Sequence, residues 1–96
     1  MTSFDFVVAN EHPSLTGHFP GNPIVPGAVI IEQIMQGFCA LNETKEIASL
    51  VTIKLMKPIL PQQQVRVHFK EISAVLFSFE CIANEEVSVI GRLKIK

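Results

Sequence analysis

Three features of the sequence predict an α+β domain in which an antiparallel sheet wraps one helix. Residues 28–41 carry apolar side chains around most of a helical circumference. Beyond residue 46 the pattern switches to alternation, in four short runs. The breaks between those runs are short, so neighbouring strands are expected to pair as antiparallel hairpins around the helix.

The elements follow in chain order. Phe4 to Ala9 is rich in strand formers and stops at the turn and proline signals of Asn10 to Ser14, which predicts a short first strand. Gly17, Pro20, Gly21, Pro23, Pro26 and Gly27 then fall too densely for a helix or a central strand. Apolar Phe19, Ile24 and Val25 are interleaved among them and favour an ordered loop. Ala28 to Leu41 has no proline and ends near Asn42, and its apolar positions predict a helix buried on nearly all sides. Its polar exceptions are Glu32, Gln33 and Gln36; 32 and 36 lie one turn apart and share a face. The alternating runs are Val51, Ile53, Leu55; Val65, Val67, Phe69; Val75, Phe77, Phe79, Cys81; and Val87, Val89, Leu93, Ile95, broken at Pro58 to Gln64, at Ser73 and at Asn84-Glu85.

Composition narrows the function classes. The 96 residues have room for one hydrophobic core, read as a single domain over 1–96, and 48% of them are apolar against 18% charged, which excludes a disordered chain. A domain this small buries only roughly 60–65% of its unfolded surface, so an apolar face is expected to be hidden in a homodimer or larger assembly. Eight Lys and Arg against nine Asp and Glu give a net charge of -1, without the basic excess that nucleic acid requires. No apolar run approaches the roughly 20 residues of a membrane span and no leader pattern opens the chain, so a cytoplasmic location is expected. Cys39 and Cys81 lack metal-ligand spacing and sit in apolar periodic segments, which reads as two small core hydrophobes.

The chemistry-bearing residues cluster between 12 and 36. His18 and Glu32 flank a predicted helix start at Gly27. Histidine is the side chain suited to proton transfer near neutrality, a buried carboxyl can serve as an acid, and free N–H groups at a helix start can hold an oxyanion. Glu32 lies about 7–8 Å along the helix axis from Gly27, a span that suits a substrate laid across the helix start. Gly27 allows close backbone approach, and Pro26 fixes the chain ahead of it. A histidine after glycine, a glutamate on a helix and a Gly/Pro loop are equally ordinary structural features, so these residues alone leave both readings open.

The segment Gly17-His18-Phe19-Pro20-Gly21-Asn22-Pro23-Ile24-Val25-Pro26-Gly27 resembles the signature GHFPG-x-P-x-x-PG of the hotdog-fold β-hydroxyacyl-[acyl-carrier-protein] dehydratases, and matches it at every fixed position. Glu32, fourteen residues after His18, stands where that family places its catalytic carboxylate. Lys54-Leu55-Met56-Lys57-Pro58-Ile59-Leu60-Pro61 looks like the family's Lys-x-x-Pro-Val-x-Pro strand end, which extends the similarity over most of the chain. The resemblance implies a hotdog fold and an enzyme of fatty-acid or related polyene biosynthesis acting on 3-hydroxyacyl thioesters of acyl carrier protein. It implies that His18 removes the α-proton, Glu32 assists departure of the 3-hydroxyl as water, the Gly27 amide holds the thioester oxygen and Gln36 orients the Glu32 carboxyl. Phe19 and Pro26 support the site. In the family the histidine and acid of one site come from opposite subunits of a dimer, and no metal or redox cofactor takes part.

The departures from the pattern bear on substrate. The chain is shorter than typical members, lacks their N-terminal extension and passes from helix to strand through only about Asn42 to Glu46, where many relatives carry a segment near the acyl tunnel. Gln62-Gln63 follow Pro61 where relatives commonly have Gly-Asp. The compact length resembles the dehydratases of aryl-polyene pathways, which often carry Asp in place of Glu32; the Glu resembles the branch that does not isomerise its product. The alternatives are a hotdog thioesterase, recognised by released thiol, and a non-catalytic acyl- or carrier-binding subunit. Phe19-Pro20 could take either peptide isomer. His12 before Pro13 reads as structural, and His68 shares a solvated strand face with Arg66 and Lys70. Phe38, Phe77, Phe79 and the Met residues read as core, and Lys54, Lys57, Arg66 and Lys70 form a possible contact for an acidic carrier protein.

Overall fold

The computed structural model describes residues 2–9 and 24–96. Its elements are β1 (Thr2–Phe6), α1 (Gly27–Leu41), β2 (Ile47–Leu55), β3 (Val65–Glu71), β4 (Leu76–Ala83) and β5 (Glu86–Ile95). The strands form one antiparallel sheet in the order β1-β3-β4-β5-β2, with α1 against one face. The first strand begins two residues earlier than the sequence suggests and ends at Phe6, although Val8 beyond it is still buried. No helix among the described residues is long and apolar enough to cross a membrane.

The hairpins β3–β4 and β4–β5 are as expected. The turn between β4 and β5 is two residues, Asn84 and Glu85, both with positive φ (53° and 63°), the geometry that matches the twist of a tight hairpin. The expected β2–β3 hairpin does not form: β2 lies beyond β5, at the edge opposite β1. Residues 56–64 therefore cross the end of the sheet, and their backbone groups find partners there. The Met56 and Lys57 N–H groups both donate to Ser88 O (2.8 and 3.1 Å), and the Gln62 N–H donates to Val8 O (2.7 Å). Pro61 and Gln62, the latter at φ 66°, turn the chain toward β3, closed by the Gln63 N–H on Leu60 O (3.3 Å).

Alternation holds in β3 and β4, where Val65, Val67, Phe69, Phe77, Phe79, Cys81 and Ala83 all face the core. Val75 precedes β4 and is exposed. Alternation fails in β2. Register shifts between Ile47 and Ser49 and between Leu50 and Thr52 each insert an extra residue, so Ile47, Leu50 and Ile53 turn to the helix side while Val51 is left exposed. A third shift leaves Ser88 unpaired in β5, where its carbonyl is aimed at residues 56 and 57.

Phe38 anchors the helix on the sheet. Its ring meets Phe69 and Phe77 edge-on, with centroids 5.2 and 5.1 Å apart. Phe4 stacks on Phe69 at 5.9 Å and lies against Gly37, where any Cβ would run into its ring. With Val29, Ile30 and Ile34 these residues make one buried stripe on α1. The rest of the helix is not enclosed, contrary to the sequence reading: Ala28, Glu32, Gln36, Cys39 and Ala40 are exposed, and Ile31 and Met35 are half-buried. One sheet covers only one side of a helix, and a pattern that is apolar all round records the need for cover without saying which molecule provides it. Cys39 is thus not the core residue expected, whereas Cys81 is, its thiol pushed up to about 12 by burial and secondarily by the Glu80 carboxylate.

Candidate active site

The Gly/Pro-rich segment of the sequence enters the described residues at Ile24. Val25 is buried and its N–H donates to Ile59 O at 2.8 Å, which ties the end of the Gly/Pro segment to the chain crossing the sheet end. Pro26 follows with φ -61° and ψ 147° as the residue ahead of the first helical turn, and its carbonyl takes the N–H groups of Val29 (3.0 Å) and Ile30 (3.3 Å). Among the described residues no side chain caps this end, and no acidic residue lies in the first turn. Among the described residues the N–H groups of Gly27 and Ala28 have no acceptor, and they lie at the positive end of the helix.

The neighbour of Gly27 is Leu55, at the end of β2. A Cβ on Gly27 would lie 3.0 Å from Leu55 Cδ1. A side chain at 27 would thus crowd Leu55, which would have to shift by a few tenths of an ångström, and its absence leaves room for a ligand atom. Leu55 keeps the helix-side phase of β2 but remains 53% exposed, because it lies at the sheet edge. The sequence reading placed no functional weight on it.

Glu32 and Gln36 stand on the open face of α1. Gln36 Nε2 donates to Glu32 Oε1 at 3.1 Å, an i,i+4 contact that leaves Oε2 available to another partner. Helical geometry puts Glu32 about 7–8 Å along the axis from Gly27. A group bound between them would meet backbone donors at one end and the Gln36-bonded carboxyl at the other. The structure thus brings together Gly27, Pro26, Glu32 and Gln36 on one element; His18 and Phe19, with His12 and the Phe19-Pro20 bond, lie outside the described residues.

The expected cationic contact divides. Lys57 pairs with Glu86 (2.8 Å), and Arg66 pairs with Asp5 (2.9 Å), leaving Lys54 and Lys70 without an ion pair among the described residues. The Arg66 guanidinium and, after it, the Gln64 amide hold the Asp5 carboxyl below its ordinary value.

Residues 1–92 match the model of the ApeI-like family, described as ApeI dehydratase. Curated relatives include the 3-hydroxyacyl-[acyl-carrier-protein] dehydratase FabZ of Bartonella bacilliformis, 35% identical over 93% of this chain and 64% of its own length. FabZ of Rhizobium rhizogenes is 33% identical over 93% and 62%. The chain therefore spans a little over three fifths of these relatives. Among solved structures, the dehydratase heterocomplex ApeI:P from Xenorhabdus doucetiae superposes with a TM-score of 0.81 at 19% identity, over 97% of this chain and 84% of that one. An acyl-ACP thioesterase from Bacteroides thetaiotaomicron superposes with a TM-score of 0.72 at 16% identity, over 97% and 36%. At these identities the likeness establishes the hotdog fold alone, since one fold hosts several activities.

Proposed function

The chain belongs to the ApeI-like dehydratase family, and on that premise we propose that it removes water from a 3-hydroxyacyl thioester held on acyl carrier protein, giving the trans-2-enoyl thioester. The observation that carries this reading is the Glu32 carboxyl hydrogen-bonded by Gln36 on the exposed face of the helix, about one and a half turns from the Gly27 N–H, which has no acceptor among the described residues.

The thioester oxygen rests on the Gly27 N–H, at the positive end of α1, where negative charge grows as the α-proton leaves. His18 takes that proton on its free ring nitrogen. The Glu32 carboxyl gives a proton to the 3-hydroxyl as the C3–O bond breaks, and the electron pair of the former C–H bond becomes the new C2–C3 π bond. Water departs, and return of the proton from His18 to Glu32 restores both groups. Gln36 is a positioning residue, holding one carboxyl oxygen so that the other faces the substrate.

A homodimer completes the site in this reading, with His18 and Glu32 of one site drawn from opposite subunits. Two features support it: the open face of α1 with half-buried Ile31 and Met35, and the free edge of β2, a nine-residue strand with Val51 and Leu55 exposed. Long apolar edges of that kind are ordinarily covered. The reading keeps the cytoplasmic placement drawn from the sequence.

The test follows enoyl-thioester absorbance from 3-hydroxyacyl thioesters, with free thiol assayed in parallel. His18→Ala and Glu32→Ala are each expected to lower turnover about 10²- to 10⁴-fold while the chain stays folded. Undiminished turnover in both variants overturns the mechanism, and thiol release without enoyl product makes the protein a thioesterase.

A further inference from the structure

The face of the sheet turned away from α1 carries a second set of functional groups. Direct cross-strand partners share a face, so the register arranges its side chains in rows. One row reads Lys70, Ser78, Arg92, Thr52; the next reads His68, Glu80, Ile90, Lys54; Lys94 lies beyond the first row, opposite Leu76. The first row consists of an ammonium, a hydroxyl, a guanidinium and a hydroxyl, with no carboxylate among them.

Charge is concentrated here. The whole chain has a net charge of -1, yet Lys54, Lys70, Arg92 and Lys94 all point outward on this face, and none has an ion pair among the described residues. Two carboxylates share the face: Asp5, already engaged by Arg66 and Gln64, and Glu80. Such a clustering of like charge repels itself and attracts an anion.

The two rows wall a groove of about 560 Å³, within the range of roughly 300 to 1,000 Å³ that small-molecule sites occupy. Strand spacing of about 4.8 Å puts Lys70 and Arg92 on either side of Ser78, near enough for both long side chains to meet above its hydroxyl. Ile90, 38% exposed, supplies an apolar wall beside them. Below, the buried Phe79 ring occupies the place a side chain on Gly91 would take, so the sheet beneath the groove is closed by packed aromatics and the groove does not open into the helix side.

We propose that this groove is a binding site for a small phosphate monoester, with the phosphate held by Lys70, Ser78 and Arg92 and an apolar portion of the ligand against Ile90. Guanidinium, ammonium and hydroxyl donors placed side by side on three adjacent strands match the three terminal oxygens of such a phosphate. A groove of this size on the sheet face matches a small ligand better than the broad surface of a protein partner. The site is separate from the dehydration centre, which lies across the sheet on α1.

The test is a titration of the full chain followed by backbone amide NMR, using phenyl phosphate, inorganic phosphate and phenol as probes. Saturable shifts at Lys70, Ser78 and Arg92 are expected with phenyl phosphate, weaker ones with inorganic phosphate and none with phenol. Arg92→Gln and Lys70→Gln each leave an exposed position folded and are expected to weaken binding about tenfold or more, the usual effect of losing a charge-assisted hydrogen bond. Dehydration of a 3-hydroxyacyl thioester of a small thiol is expected to be unchanged in both, so loss of this site and loss of the catalytic reading are separable. The proposal is overturned if no shift saturates below about 10 mM phenyl phosphate, a limit near 3 kcal/mol of binding. It is also overturned if the variants bind as the parent does, or if only an acidic carrier protein perturbs these amides.

Discussion

The two sides of α1 are built from similar residue types for opposite purposes. On one, Val29, Ile30, Ile34 and Phe38 are closed under the sheet and Gly37 is bare so that Phe4 can press against the helix. On the other, Ala28, Glu32, Gln36 and Cys39 are exposed, and the one polar side-chain contact there among the described residues is the Gln36–Glu32 hydrogen bond. The closed side fixes where the helix sits; the open side presents a carboxyl biased by one hydrogen bond without contributing to the core. Substitutions on the two sides are therefore expected to separate stability from activity.

The largest stability effect is expected at Phe38. Its ring contacts two further aromatics and it is fully buried, so Phe38→Ala leaves a cavity that the rigid sheet cannot fill and costs about 3–5 kcal/mol, measurable by urea unfolding. Cys81, on the core face of β4, sharpens the same contrast through pH. Its folded thiol titrates near 12 against an ordinary value of 9.0, so the unfolded chain ionises first and the native state loses stability as pH rises from about 9 to 12. The whole span amounts to about 4 kcal/mol at most. Cys81→Ala is expected to flatten that alkaline limb while lowering stability at neutral pH. Cys39, on the open side, is exposed, and under the proposed dimer its reaction with a thiol reagent is expected to slow at higher protein concentration.

Gly37→Ala is expected to be smaller but of telling sign. In an exposed helix interior, Gly to Ala gains about 1 kcal/mol. Here the added Cβ meets the Phe4 ring, and displacing that ring from its stack on Phe69 costs about 1–3 kcal/mol, so a net loss is expected by thermal unfolding. A gain would mean that β1 moves freely relative to the helix.

What could be read in the sequence followed from local periodicity, and what could not depended on distant partners. The period of two in β3 and β4 and the Asn84-Glu85 turn placed two hairpins correctly. The place of β2 was hidden, because its alternation is broken at Ala48 and Val51 and its pairing with β5 is long-range. At the site, the spacing of Glu32 and Gln36 announced their contact, since i,i+4 neighbours meet on any helix. Leu55 carried no such signal: its contact with Gly27 exists only because the chain crosses the sheet end between β2 and β3. The openness of the helix face was equally invisible, as Met35 beside solvent and Ile34 in the core look alike in a hydropathy pattern.

The smallest stability change, and the sharpest division between the two sides, is expected at the Glu32–Gln36 pair. Both side chains are exposed, their hydrogen bond contributes no more than the few tenths of a kcal/mol usual for an i,i+4 contact, and alanine favours the helix, so Gln36→Ala is expected to change unfolding free energy by less than about 0.5 kcal/mol. Turnover is expected to fall nonetheless, because the Glu32 carboxyl loses the contact that orients it, and the loss is expected in kcat rather than KM, since Gln36 does not touch substrate. Gln36→Glu keeps the length but replaces the donor by a like charge, and is expected to be more harmful than alanine; Gln36→Asn, too short to reach, is expected to match alanine. Parent-level activity in all three variants would overturn the positioning role of Gln36.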